Sequence, residues 1–120
     1  MDRMNRINQQ MKKEISDIIL RDVKDPRLGF VTITEVQVSR DLQHARIFYS
    51  ALGNAEKAKS AQSGLDSAKG FIRRLVGQRV RLRLTPELEF VFDQSIEYGA
   101  RIEEALGEIK ENTRQNPENE

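Results

Sequence analysis

A chain of 120 residues with 38% hydrophobic content is long enough for one domain with its own core, and its lack of cysteine excludes a disulfide framework, a thiolate metal site and a cysteine nucleophile. Twenty Lys and Arg against nineteen Asp and Glu leave a net charge of +1, so partners must be read from where the charges sit rather than from their total. No stretch approaches the roughly 18 apolar residues of a membrane span. Residues 1–13 carry basic side chains without an apolar h-region, which reads as a cytoplasmic protein without a secretory signal.

Met4, Ile7, Met11, Ile15 and Ile18 recur at three- and four-residue steps and predict a first helix with one apolar face. Pro26 disfavours helical geometry at Asp25, so the helix is expected to fail before it. Residues 30–39 (FVTITEVQVS) are rich in β-branched side chains and read as a strand. The apolar parity changes between Ile33 and Val36, which fits either a bulge or a two-sided strand. After a short connection at residues 40–43, Ala45, Ile47, Tyr49 and Ala51 alternate with polar and aromatic positions. Two strands this close in sequence predict an antiparallel hairpin.

Asn54 is a candidate N-cap for a second helical stretch. Ala58, Ala61, Leu65, Ala68, Ile72 and Leu75 continue one apolar face, while Gly64 and Gly70 each cost about 1 kcal/mol relative to Ala. Two helices meeting at a kink near Gly70 are therefore expected. Val80, Leu82 and Leu84 alternate with Arg79, Arg81 and Arg83, Pro86 interrupts the run, and Leu88, Phe90 and Phe92 resume it. These residues predict a third strand entered through an extended arm. Ile96, Ile102, Leu106 and Ile109 suggest a closing helix, and residues 110–120 (KENTRQNPENE) are expected to be a disordered polar tail behind a single domain of residues 1–109. The order predicts an α+β two-layer fold, a three-stranded sheet with helices on one face.

The seven glycines do not have the spacing of a P-loop or a dinucleotide fingerprint. His44 is the sole histidine and reads as a solvated connection residue, lacking a second ligand or triad partner. No acid–base pair is indicated, so the chain reads as a non-enzyme, with no metal and no cofactor. A small hydrolase with an unrecognised carboxylate pair is the contrary reading.

One stretch departs from the balanced charge of the rest. Between Ser67 and Pro86 stand Lys69, Arg73, Arg74, Arg79, Arg81 and Arg83, with no acid among them. Lys69 and Arg73 lie one helical turn apart. In an extended arm Arg79, Arg81 and Arg83 would form a row spaced about 7 Å apart. Such a row matches a string of phosphates, and guanidinium also stacks on bases. The competing reading is a solvated face paired with distant acids. Arg3, Arg6, Lys12 and Lys13 flank the first helix and read either as a peripheral extension of an RNA footprint or as ordinary surface.

The segment SAKGFIRRLVGQRVRLRLTPELEFVFDQS (67–95) closely resembles the ribosome-binding factor A family. KDPRLG (24–29) and VSRDLQHARIFYS (38–50) are similar to the same family's first-half signatures, and the resemblance extends from about Met4 to Leu106. It implies a type-II KH-like fold and binding to the free small (30S) ribosomal subunit in bacteria. It also implies a non-catalytic part in late maturation of 16S rRNA, including 5′-end processing, an association with cold adaptation, and a ribosome-associated GTPase linked to release. Ordinary KH domains use a GxxG loop against the nucleic-acid backbone, and no GxxG occurs here. Ala68-Lys69-Gly70 looks instead like the AxG kink of this family. Docking onto folded rRNA by shape and phosphate contacts is therefore expected, by a monomer, through Ala68, Lys69, Gly70, Arg73, Arg74, Arg79, Arg81 and Arg83. The alternative is a protein-binding adaptor that uses the N-terminal helix or the tail.

Overall fold

The computed structural model describes residues 2–93. The expected closing helix, the end of the 1–109 domain and the 110–120 tail lie outside the described residues. Helix α1 (Arg3–Arg21) starts at Asp2, whose carboxylate accepts the Asn5 amide at 2.8 Å. Its apolar stripe is buried as expected, with Met11, Ile15 and Ile18 fully enclosed. The helix stops well short of Pro26, which opens a short 3-10 turn (Pro26–Leu28). Asp25 caps that turn through the Arg27 amide at 2.9 Å.

Strands β1 (Val31–Val38) and β2 (His44–Ala51) form the predicted antiparallel hairpin, and the register shifts between Ile33 and Glu35. That bulge resolves the parity change by letting both Ile33 and Val36 face the core. In the hairpin connection Ser39 donates to Asp41 at 2.6 Å and Asp41 accepts the Gln43 amide at 3.1 Å. These two bonds hold the Asp41 carboxyl below its ordinary range. Leu42 adopts a positive φ of 64° yet is buried. Removing its side chain from water, worth about 2 kcal/mol, offsets a backbone strain of about 1–2 kcal/mol.

Gly53, at φ 119°, turns the chain from β2 into helix α2 (Ala55–Arg79), a conformation suited to glycine. Asn54 caps α2 as predicted, accepting the Lys57 amide at 3.0 Å. The expected division into two helices is not found, because α2 runs unbroken for 25 residues through Ala68, Lys69 and Gly70. Burial of Leu65, Ile72 and Val76 on the two sides of Gly70 outweighs its local cost.

The third strand is entered through an arm, as the sequence suggested. β3 (Glu87–Phe92) begins after Pro86, and residues 80–86 form a connecting arm outside the sheet. β3 pairs with β2 in parallel, Ile47 opposite Phe90 and Tyr49 opposite Phe92, giving the sheet order β1-β2-β3. A parallel neighbour needs a crossover, and α2 supplies it. Both helices pack on the same face of the sheet and against each other, as expected for two layers. The other face is mostly polar, with Phe48 opposite Val91 and an Arg46–Glu89 ion pair at 3.7 Å.

Candidate nucleic-acid interface

The acid-free stretch begins on the C-terminal half of α2 and continues along the arm. Ala68 is partly buried against the core. Lys69 is half-buried and Gly70 exposed. A Cβ built on Gly70 would meet nothing within 4 Å, whereas one on Gly64 would come within 3.0 Å of Leu28 Cδ2, and one on Gly77 within 3.0 Å of Thr85 Oγ1. A methyl group at Gly64 or Gly77 would crowd Leu28 or Thr85. Gly70 leaves bare backbone facing open space, four residues before Arg74 on the same face.

The six predicted cations divide into two groups. Arg73 donates from Nε to the Pro86 carbonyl and from an Nη to the Thr85 carbonyl, each at 2.8 Å, and lies 3.6 Å from Glu87. It fastens the arm to α2. Arg79 is the last residue of α2, not part of an extended row, and donates to Asp22 at 2.9 Å. The expected alternating row of Arg79, Arg81 and Arg83 on one strand is therefore corrected. Only Arg81 and Arg83 stand on the arm, and Leu84, which alternates with them, is exposed as well.

Lys69, Arg74, Arg81 and Arg83 make no hydrogen bond or ion pair with the described residues. Arg74 lies 5.4 Å from the centroid of the Phe71 ring, an exposed aromatic that periodicity alone did not single out. On α1, Arg3, Arg6 and Lys13 are exposed and Lys12 half-buried, and Lys13 pairs with Asp17 at 3.5 Å. His44 is an exposed residue at the start of β2. Among the described residues no group of His, Cys, Asp or Glu could hold a metal ion, and no helix is long and apolar enough to cross a membrane.

A polar seam between α2 and the sheet also escaped the sequence. Tyr49 donates its hydroxyl to Gln62 Oε1, and Gln62 Nε2 donates to the Phe90 carbonyl at 3.1 Å. Burial, and secondarily the nearby Asp66 carboxylate, push the Tyr49 phenol above its ordinary pKa. Elsewhere the Arg27 guanidinium, bound to Asp25 at 2.7 Å, lowers that carboxyl.

A two-layer α+β domain with its long crossover helix and an adjoining cationic arm defines a KH-like class of protein. The chain matches the family described as ribosome-binding factor A over residues 3–106 and belongs to that family. It is 51% identical, over 91% of its length and 89% of the relative's, to a ribosome-binding factor A from Halothermothrix orenii. Its fold is similar to the crystal structure of ribosome-binding factor A from Thermus thermophilus, with a TM-score of 0.66 and 26% identity over 73% of this chain and 93% of that one. It is also similar to a homology model of the Thermus thermophilus factor fitted into a cryo-EM map of a 30S complex. There the TM-score is 0.60 and the identity 28%, over 72% of this chain and 91% of that one.

Proposed function

We propose that this protein binds the free 30S ribosomal subunit and assists late maturation of 16S rRNA, including processing of its 5′ end, without catalysing a reaction itself. Family membership supports the partner, and a relative fitted into a 30S complex supports the subunit. The observation that carries the contact surface is local. Four cations, Lys69, Arg74, Arg81 and Arg83, pair with no acid among the described residues, in a stretch that itself contains none. Exposed guanidinium and ammonium groups of this kind neutralise phosphates and release counterions. Bare backbone at Gly70 gives a nucleic-acid strand room for close approach.

Arg73 and Arg79 act beneath this surface, holding the arm and the helix ends in place. Arg3, Arg6 and Lys12 extend the footprint at its periphery. The protein acts as a cytoplasmic monomer. By binding an intermediate rRNA conformation more tightly than the mature one, it shifts the population by that difference in affinity. Processing nucleases cut the RNA, and a ribosome-associated GTPase drives release.

Co-sedimentation with free small subunits and with assembled ribosomes, at two salt concentrations, tests this reading. Selective pelleting with free subunits that weakens in high salt is expected. Equal binding to assembled ribosomes, or binding indifferent to salt, overturns it.

A further inference from the structure

The end of the sheet where β1 begins and β2 finishes carries an apolar surface that the function above does not use. Phe30 and Leu52 are 60% and 72% exposed, and the Leu52 amide donates to the Phe30 carbonyl at 3.2 Å, so the two are held side by side. With Pro26, Ala61, Arg27 and Lys57 they line a groove of about 250 Å³. Two large apolar side chains so exposed on one small patch mark a surface that something covers. Its charged members are Arg27, which Asp25 already pairs, and Lys57, whose Nζ sits 5.8 Å from the centre of the Phe30 ring.

The chain itself carries a matching segment. Residues 1–93 hold seventeen Lys and Arg against twelve Asp and Glu, a net +5, while residues 94–120 hold three against seven, a net −4. The total of +1 hides this division. Within the acidic part, Tyr98, Ile102, Ala105, Leu106 and Ile109 recur at four- and three-residue steps, the spacing of one helical face. In a helix of that spacing Glu97, Glu104 and Glu108 would share a different face.

The exit point favours the same pairing. Asp93 leaves β3 with its amide bonded to the Tyr49 carbonyl at 2.8 Å, two residues short of Ala51 along β2. The start of β1 is two strand spacings away, about 10 Å, which three or four extended residues cover.

We propose that residues 98–109 fold back as an amphipathic helix onto the groove of Phe30, Leu52 and Lys57, placing Ile102 and Leu106 against the apolar surface and a glutamate beside Lys57. The occupant is this chain's own acidic segment, docked within the same molecule. It covers the far end of the sheet and leaves the Lys69–Arg83 surface open to RNA.

The absence of cysteine makes a direct test clean. A nitroxide is attached to Glu103→Cys in the full chain, and the amide resonances of residues 2–93 are recorded with the label oxidised and reduced. Selective broadening at Phe30, Leu52, Lys57 and Ala61 is expected, and Ile102→Asp with Leu106→Asp should abolish it. Broadening centred on the groove beside Val23 and the exposed Leu20 at the end of α1, or on Lys69 to Arg83, overturns the assignment, as does uniform weak broadening. So does broadening of an isotope-labelled chain by a separate spin-labelled one, which would mean docking between copies.

Discussion

Two flanks of helix α2 use the same kinds of residue in opposite ways. On the flank facing β3 and the arm, Gln62 and Arg73 spend their donors on main-chain carbonyls, and Gly77 admits Thr85. On the outward flank, among the described residues, a Cβ at Gly70 would meet nothing within 4 Å and Arg74 meets an aromatic ring. One acid-free stretch therefore contains both a seam that holds the domain together and a surface with charge to offer a ligand. The lesson is that a basic run in a sequence overstates the charge available to a ligand until the destination of each guanidinium is known.

The sharpest way to break the distinction is to remove cations from each set in turn. Replacing Arg81 and Arg83 together with Ser should leave the melting temperature nearly unchanged. It should weaken binding to free small subunits on the order of tenfold to a hundredfold, and lower the log–log salt slope by roughly 1.5. Arg73→Ala should instead cost about 2 kcal/mol or more of stability, since two charged hydrogen bonds to the Thr85 and Pro86 carbonyls are lost. In a domain of this size that is a drop in Tm on the order of 10 °C. Thermal melts and sedimentation on both variants decide the matter. A loss of salt slope in Arg73→Ala at unchanged Tm would erase the boundary between seam and surface.

Much of the seam could not be read from the sequence, because its contacts are long in sequence and short in space. The α1 stripe, the hairpin, the bulge and the Asn54 cap were legible, since each is encoded by neighbours within a few residues. Parallel pairing of β2 with β3 was not, because alternation in a strand says nothing about its partner. Arg79 looked like one tooth of a row, yet it reaches Asp22, 57 residues away. The unbroken α2 was missed for a related reason. The cost of Gly70 is local and visible, while the burial of Ile72 and Val76 that offsets it depends on the sheet.

Tyr49 probes the seam more gently. Its folded pKa is raised, so the folded state holds the proton more tightly than the unfolded chain does. The resulting stability is fully present below the ordinary value of 10 and is lost as pH rises through the raised value. Tyr49→Phe removes the donor to Gln62 and should cost about 1 kcal/mol near neutrality. It should also flatten part of the alkaline decline. Melts of both proteins between about pH 8 and pH 11 measure the difference, and parallel curves would mean that the phenol does not titrate with unfolding.

The smallest expected effect is a gain. Gly70→Ala adds a methyl group where nothing lies within 4 Å, inside a continuous helix. Helix propensity then favours the variant by up to about 1 kcal/mol, a rise in Tm of a few degrees. Gly64→Ala and Gly77→Ala should show no such gain, because their methyl groups press on Leu28 and Thr85. If rRNA backbone lies against Gly70, the more stable variant binds free small subunits several-fold more weakly, separating stability from function at one atom. A higher Tm with unchanged binding would instead leave the contact to the cations alone, with Gly70 free of any close approach.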